Sequence, residues 1–454
     1  MILKKEIPFR ERLNFLIYVF SRVMLSIGDH VYLFAVSYFI IYETGSSFYF
    51  SINLAIAIIV SLILLPFSGL ISDLGNKRKI VISGEILFTS VLLGLFIYSY
   101  FFGINLSAIY ITTFLTSLIS PFVSNAFQAA MTELFHKNRI QKVMGYVSAI
   151  LSTAVIAGPI LGGILFGLLS FNQIILIYLI LFGISSVLDF LLKFDLYLEP
   201  ENYEEDIVES PKPLSKFKKD ISEGMMFIVN NKVLKRVFIL AAFINLVGAT
   251  MSILPEKMMI TELDFSPEIV GYVNAFLGLG MLAGGILIGA RKKMKNPVAV
   301  EKKGLLLLAL LTVVYPLPIY LGLGTVFNFI YVAMLGFGLA IGMQLANIPM
   351  GIYLQLIVPQ KIKGRVFSSL GLVASSLMPL GTIIYGVLYD IGGYWIINIV
   401  SGLSIVIFAV TLLNRKVLSM SEEDYGKAVA GGAAEEETAE ERFEETADAR
   451  VQEA

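Results

Sequence analysis

Long apolar stretches separated by short polar ones dominate the chain, at about 14–41, 48–71, 80–102, 106–131, 144–168, 171–192, 236–255, 268–290, 304–322, 326–357, 366–388 and 394–413. An α-helix of roughly 20 residues crosses about 30 Å of hydrocarbon at 1.5 Å per residue, and these runs match that length. Core strands are shorter and bounded by turns, and backbone in lipid must satisfy its own hydrogen bonds, so each run reads as a helix. The pattern predicts twelve membrane-spanning helices.

The polar stretches alternate in charge. Basic residues collect in the N-terminal arm (Lys4, Lys5, Arg10, Arg12), at Lys77-Arg78-Lys79, around Lys137, Arg139 and Lys142, and from Lys193 to Arg236. They collect again from Arg291 to Lys303, at Lys361, Lys363 and Arg365, and at Arg415 and Lys416. The stretches between, such as YETGSS, YFFGINL and LSFNQ, have none; on that side Lys257 stands alone among Glu256, Glu262, Asp264 and Glu268. Lys and Arg accumulate in cytoplasmic loops. An inner-membrane protein with both termini in the cytoplasm is therefore expected. The first apolar run lacks a small-residue cleavage pattern and reads as a retained helix.

Composition narrows the function classes. Of 454 residues, 57% are hydrophobic and 15% charged, with a mean hydropathy of +0.80, against about 25% charged in a soluble domain. A formal net charge of −1 leaves no nucleic-acid footprint. The absence of cysteine removes disulfides and thiolate chemistry, and His30 and His136 are too few for a multi-histidine metal centre. No G-x-x-x-x-G-K-[ST] loop is present, which disfavours an ATP-driven pump. Neither an enzyme nor a cofactor is expected.

The basic segment divides the chain into an N-terminal six-helix bundle (1–192), a cytoplasmic linker (193–235), a C-terminal six-helix bundle (236–416) and an acidic, disordered tail (417–454). Within the linker, Leu214, Phe217, Ile221, Met225 and Ile228 recur at helical spacing opposite Lys216, Lys218 and Lys219, as in an amphipathic helix lying on the inner leaflet. The halves match at an offset of about 220 residues: Gly69 falls on Gly289, and Glu133-Leu134 on Gln355-Leu356. Parallel repeats around a central site are one way transporters are built. The fold class is thus all-α and integral to the membrane, with twelve helices in two pseudo-symmetric six-helix bundles, expected as a monomer.

Three motifs add chemistry. The second helix ends Gly69-Leu70-Ile71-Ser72-Asp73-Leu74-Gly75-Asn76-Lys77-Arg78-Lys79, an acid at a helix end, a glycine turn and three cations. This resembles the loop signature of the major facilitator superfamily, and the resemblance makes Gly69, Asp73 and Arg78 cytoplasmic gate residues. The fifth helix places Gly145, Ala154, Gly158, Pro159, Gly162 and Gly163 along it, small residues around a proline that favour close packing and a bend. This is similar to the antiporter motif of exporters in that superfamily, with Ala154 where the motif has Gly. SIGDHVYLFAVSYFIIYETGSS, GLGMLAGGILIG and GRVFSSLGLVASSLMPLG resemble the drug-exporter branch that includes macrolide-efflux proteins. The fourth helix lacks the Arg found there in many of the superfamily's proton antiporters, so a coupling scheme built on it does not transfer.

Intramembrane charge supplies the remaining candidates. Arg22 and Asp29 lie roughly 13 and 24 Å along the first helix at 1.5 Å per residue, on one face but too far apart to pair. A charge at such depth faces a partner or an aqueous cavity. Asp29 is the first candidate for proton coupling or substrate binding, with Arg22 and His30 beside it. Asn125, Gln128, Asn245, Gln344 and Asn347 are candidates for the cavity lining. Glu85, Glu133 and Asp189 fall near the cytoplasmic ends and suit gate or interface roles. The resulting expectation is a proton-coupled exporter of hydrophobic or amphipathic small molecules working by alternating access. A nutrient or metal-ion transporter of the same fold, similar to ferroportin in its first helix, is the alternative; the seventh helix, with no His or acid in its core, argues against metal.

Overall fold

A computed structural model describes residues 9–197, 213–291 and 294–430; the side chains of 73–74 and 213–218 are outside the description. The first half consists of α1 (Phe9–Thr44), α2 (Ser47–Leu74), α3 (Lys77–Phe102), α4 (Leu106–Leu134), α5 (Lys137–Leu168) and α6 (Phe171–Phe190). A connecting helix follows, α7 (Pro213–Asn230). The second half contains α8 (Lys232–Gly248), α9 (Thr250–Lys257) with a π turn (Met258–Glu262), α10 (Pro267–Gly289) and α11 (Pro297–Val314) with the short α12 (Leu317–Leu321). It ends with α13 (Thr325–Ile357), α14 (Lys363–Ser376), α15 (Met378–Ile391) and α16 (Tyr394–Leu412). Grouped by continuity these helices make twelve spans, as the apolar pattern predicts.

Local chemistry sets the helix starts. Asn76, Asn105, Asn231 and Asn296 each accept a hydrogen bond from a backbone N–H in the first turn of the helix that follows, filling donors that have no intrahelical partner. Several helices outrun their apolar cores: α5 begins at Lys137 and α4 ends at Leu134. Hydropathy misses these ends because polar residues beyond the hydrocarbon continue the helix.

The seventh span departs most from expectation. Its helix does not stop at 255 but continues through α9 and a π turn, where the Leu263 N–H reaches the Met258 carbonyl at 2.9 Å. Glu256 and Lys257, read as outer-loop residues from sequence, are therefore inside the span, and Lys257 is buried. The seventh helix does hold an acid.

The connecting helix α7 docks on α14. Arg365 binds Asp220 at 2.9 Å and also pairs with Glu223, and the Ser369 hydroxyl donates to the Ile221 carbonyl at 3.1 Å. Gly224 permits the approach, since a Cβ there would lie 2.3 Å from the Arg365 carbonyl oxygen. Leu214, Phe217, Lys216 and Lys218 of the expected amphipathic face lie outside the described side chains. Beyond α16, residues 415–430 form a further helix with Val417, Ser421 and Tyr425 buried. The Ser421 hydroxyl bonds Asn296 at 3.1 Å, so the tail predicted from 417 begins as a packed helix. Residues 431–454 lie outside the description.

The halves meet along two seams, α5 against α10 and α2 against α15. Among the described residues, hydrogen bonds between the halves cluster at the end opposite the basic loops. There the Tyr38 hydroxyl donates to the Phe265 carbonyl at 3.2 Å and the Lys257 ammonium to the Gly45 carbonyl. Asp390 accepts from the Ser47 N–H at 2.6 Å, the Phe48 N–H at 3.1 Å and the Ser46 hydroxyl, capping α2 of the other half. Lys257 lies 3.7 Å from the same carboxylate. Towards the basic end the seams part: most residues of α5 from Met144 to Thr153 are exposed. The molecule is closed at one end and open at the basic one.

Candidate substrate and coupling site

Three helices of the first half converge on one half-buried cation. Arg22 of α1 donates to Asp189 of α6 and to Ser21 Oγ (3.0 Å), with Glu85 of α3 4.0 Å away. Its guanidinium lies over Phe127 at 4.4 Å and Tyr18 at 5.3 Å. The Asp189 side chain is 0% exposed and that of Glu85 5%. Glu85 Oε2, Asp189 Oδ1 and Arg22 Nε are buried without a hydrogen-bond partner. A buried charge costs several kcal/mol unless paired. One guanidinium against two carboxylates leaves the set one positive charge short.

Two turns further along α1, Asp29 accepts a 2.5 Å hydrogen bond from the Tyr178 hydroxyl of α6. Tyr178 stacks on Tyr32 at 4.6 Å, and Gly28 leaves room for its ring, which a Cβ there would approach to 3.0 Å. Arg22 and Asp29 do not touch, as their axial separation requires. Both line a cavity of about 530 Å³, together with Glu85, Gln128 and hydroxyls of α4 such as Thr116 and Ser120. Glu85 and Asp189, assigned to gate or interface roles from their sequence positions, are thus the partners of the cavity cation.

The other candidates divide. His30 is turned away: its Nδ1 bonds the Ser26 carbonyl oxygen at 2.8 Å, and its Cβ lies against Gly158 of α5. Asn125 donates to Ser68 Oγ at 2.8 Å, a strut between α4 and α2. Gln344 packs on Gly284 of α10. None of these three is among the residues lining the cavities described here. Asn245 and Asn347 line a second cavity of about 180 Å³ in the other half, with Thr250, Met251 and Met343. The wall of the first half is charged; that of the second is amide, hydroxyl and thioether.

Of the residues expected to form the gate, Gly69 faces open space and the Arg78 guanidinium lies 5.9 Å from the Phe190 ring centre. Among the described side chains, Lys77 of this loop pairs with Glu133 at 2.6 Å. The Asp73 side chain is outside the description. On α5, Gly158 and Gly162 face His30 and Phe34 of α1, while Pro159 and Gly163 face Gly271 and Pro267 of α10. The small residues therefore serve two contacts, one within the half and one across the seam; Gly145, nearer the open end, meets nothing within 4 Å.

Two features escape sequence reasoning. Glu256 accepts from the Asn274 amide of α10 at 2.9 Å, and Lys257 joins Asp390 in the closed end. A break in hydropathy after Pro255 signals a loop, and nothing in the sequence reveals that a π turn carries the helix onward. His30 has no second ligand beside Asp29, and among the described residues no three His, Asp or Glu side chains gather as a metal site.

Comparison with known proteins adds identity to geometry. The family model of the Major Facilitator Superfamily matches residues 15–348. Macrolide efflux protein A of Streptococcus pyogenes is 22% identical over 83% of this chain and 89% of its own length. Multidrug resistance protein 2 of Bacillus subtilis (strain 168) is 32% identical over 24% of this chain and 26% of its own. In fold, the chain is similar to the crystal structure of a POT family transporter in complex with a thioalcohol-conjugated peptide, with a TM-score of 0.65 at 14% identity, covering 88% of this chain and 95% of that one. The chain belongs to the major facilitator superfamily: it is a multi-pass membrane transporter of small molecules, not an enzyme.

Proposed function

We propose that this transporter exports amphipathic small molecules across the inner membrane in exchange for protons, as a monomer with both termini in the cytoplasm. The observation that carries the reading is Arg22 lining the cavity with Glu85 and Asp29 and paired with the buried Asp189 behind that wall, one cation among three carboxylates in a half whose open end carries the basic loops. With those loops cytoplasmic, the structure is the inward-facing member of an alternating-access pair. Aromatic side chains beside the carboxylates, Tyr18, Phe88, Phe127 and Phe182 among them, suit a guest with an apolar body and a cationic group. The similarity to macrolide and multidrug efflux proteins supports the outward direction.

Exchange follows if proton and guest compete for the same charge deficit. Protons from outside favour the inward-facing state, where the guest displaces them; the loaded protein then favours the outward-facing state. Each ligand must bind the two states unequally for this to work. Gly69, Asp73 and Arg78 are assigned to closing the basic end in the other state, and the α5 face of Gly158, Pro159, Gly162 and Gly163 to the surface on which the halves rock.

Inverted membrane vesicles test the proposal. An imposed pH gradient is expected to drive uptake of macrolides or lipophilic cations, and Asp29→Asn to abolish that gradient-driven uptake while leaving exchange between labelled and unlabelled substrate. Full gradient-driven activity in Asp29→Asn removes Asp29 from coupling; uptake indifferent to the gradient in the parent protein removes proton exchange.

A further inference from the structure

A cleft of about 750 Å³ lies between α2 and α14, outside the charged cavity. Its α2 wall, from Ala57 through Ser61 to Leu65, is a single helix face at i, i+4 and i+8. Counted from the start of the 28-residue α2 at Ser47, these positions lie roughly 15 to 27 Å along the helix at 1.5 Å per residue, across its middle, while the α14 wall lies on the basic-end side of the break at Leu377. The opposite wall is a face of α14, including Phe367, Ser368, Gly371 and Ser375. No lining residue carries a charge, and most are apolar.

The cause lies in the eleventh span. α15 packs closely on α2, and Gly386 allows the contact, since a Cβ there would lie 2.2 Å from Ser51 Oγ. The helix is interrupted at Leu377, and Pro379 at the start of α15 cannot donate back into α14. Below the break α14 stands away from α2 and turns to α7 instead.

The cleft borders both cavities. Ser61 lines the cleft and the Arg22–Asp29 cavity, while Met378 lines the cleft and the neutral cavity of the second half. A charge-free opening at this depth, bordered on α2 by exposed Ile63 and Phe67, faces hydrocarbon rather than water. We infer that the α2–α14 cleft is a lateral portal through which the apolar part of a membrane-dissolved amphipath passes from the leaflet at the basic end to the charged cavity. This rests on the reading that the cargo is amphipathic, but the accessibility of the cleft to lipid is measurable without any cargo.

The chain contains one tryptophan, Trp395, and no cysteine. In a Trp395→Phe background, Ser368→Trp on α14 and, separately, Leu62→Trp on α2 place a fluorophore on each wall. Reconstituted into vesicles of lipid brominated in the middle of the acyl chain, both are expected to be strongly quenched, and only weakly by iodide in the buffer. Gly371→Leu fills the cleft from a position where a Cβ meets nothing within 4 Å; it is expected to relieve the lipid quenching and to weaken severalfold the apparent affinity for a transported rhodamine dye. Quenching by iodide with none by brominated lipid overturns the portal, as does a Gly371→Leu protein unchanged in both readouts. Lipid quenching in a protein that moves no amphipath leaves the portal standing as an opening to lipid and removes the export reading instead.

Discussion

Arg22 ties α1 to α6 directly and faces Glu85 of α3, so its loss is structural. Removing one partner of a buried ion pair costs about 3–5 kcal/mol, because the charge left behind is neither hydrated nor paired. Arg22→Gln is therefore expected to lower stability in detergent by that order, seen as a fall in the thermal unfolding midpoint. Adding Glu85→Gln and Asp189→Asn should recover most of it, since the triple variant buries no unpaired charge. A triple variant as unstable as the single one would show that the side chain's packing on Phe127 and Tyr18, not its charge, is what matters. The sequence marks Arg22 and Asp29 as costly residues in apolar surroundings, and their joint face follows from the seven-residue spacing. Their partners were not legible: Asp189 and Tyr178 lie 167 and 149 positions away, and only the packing of α6 on α1 brings them near.

At the scale of elements, α5 is a helix with two working faces. Gly163 and Gly271 let it meet α10 backbone to backbone, with a Cβ on either expected 2.4 Å from a carbonyl oxygen of the other helix. Gly163→Val cannot be absorbed by a side-chain shift, because the atom it meets is the Pro267 carbonyl oxygen. It should prise the closed end apart. Spin labels on cysteines introduced at Ser107 and Thr325, both exposed at that end, are expected to report a longer distance in Gly163→Val than in its parent; an unchanged distance would place the strain elsewhere. The glycine spacing of α5 was plain in the sequence, but which helix each glycine faces was not. The seventh span shows the converse limit. Hydropathy falls at Glu256 because two charged side chains follow Pro255, yet Asn274, Asp390 and the Gly45 carbonyl supply partners that make burial tolerable.

The whole molecule is shaped by an asymmetry between its ends. The closed end is held by polar contacts, with Asp390 at their centre: it takes the orphan N–H groups at the start of α2, where the helix dipole favours an anion, and balances Lys257. Asp390→Asn removes the charge and leaves Lys257 unpaired. It is expected to shift the equilibrium towards opening at that end by about 1–3 kcal/mol, roughly 5–150-fold in population, read by the same pair of spin labels. Lys257→Met added to it should reverse part of the shift. The alternation of basic loops foreshadowed this architecture, twelve spans and two like ends, but not which end would be shut.

The docking of α7 tethers the two halves to each other. Tyr197 is fastened to the first half, its hydroxyl on Glu11 at 2.5 Å and its N–H on the Glu133 carbonyl at 3.0 Å. Burial and the Glu11 carboxylate push the phenol up to about 12, so it stays a donor throughout the physiological range. α7 is fastened to the second half through Arg365. Only the chain between Tyr197 and Pro213 joins the two anchorages, and a segment of that length reaches about 50 Å at full stretch. How far these two anchorages can separate is then bounded by the contour length of that segment. Shortening the segment by about ten residues cuts the reach to roughly 20 Å and is expected to abolish transport while leaving the fold intact. Severing it with an inserted protease site should remove the bound altogether, a difference that transport assays on the same preparation before and after cleavage can read.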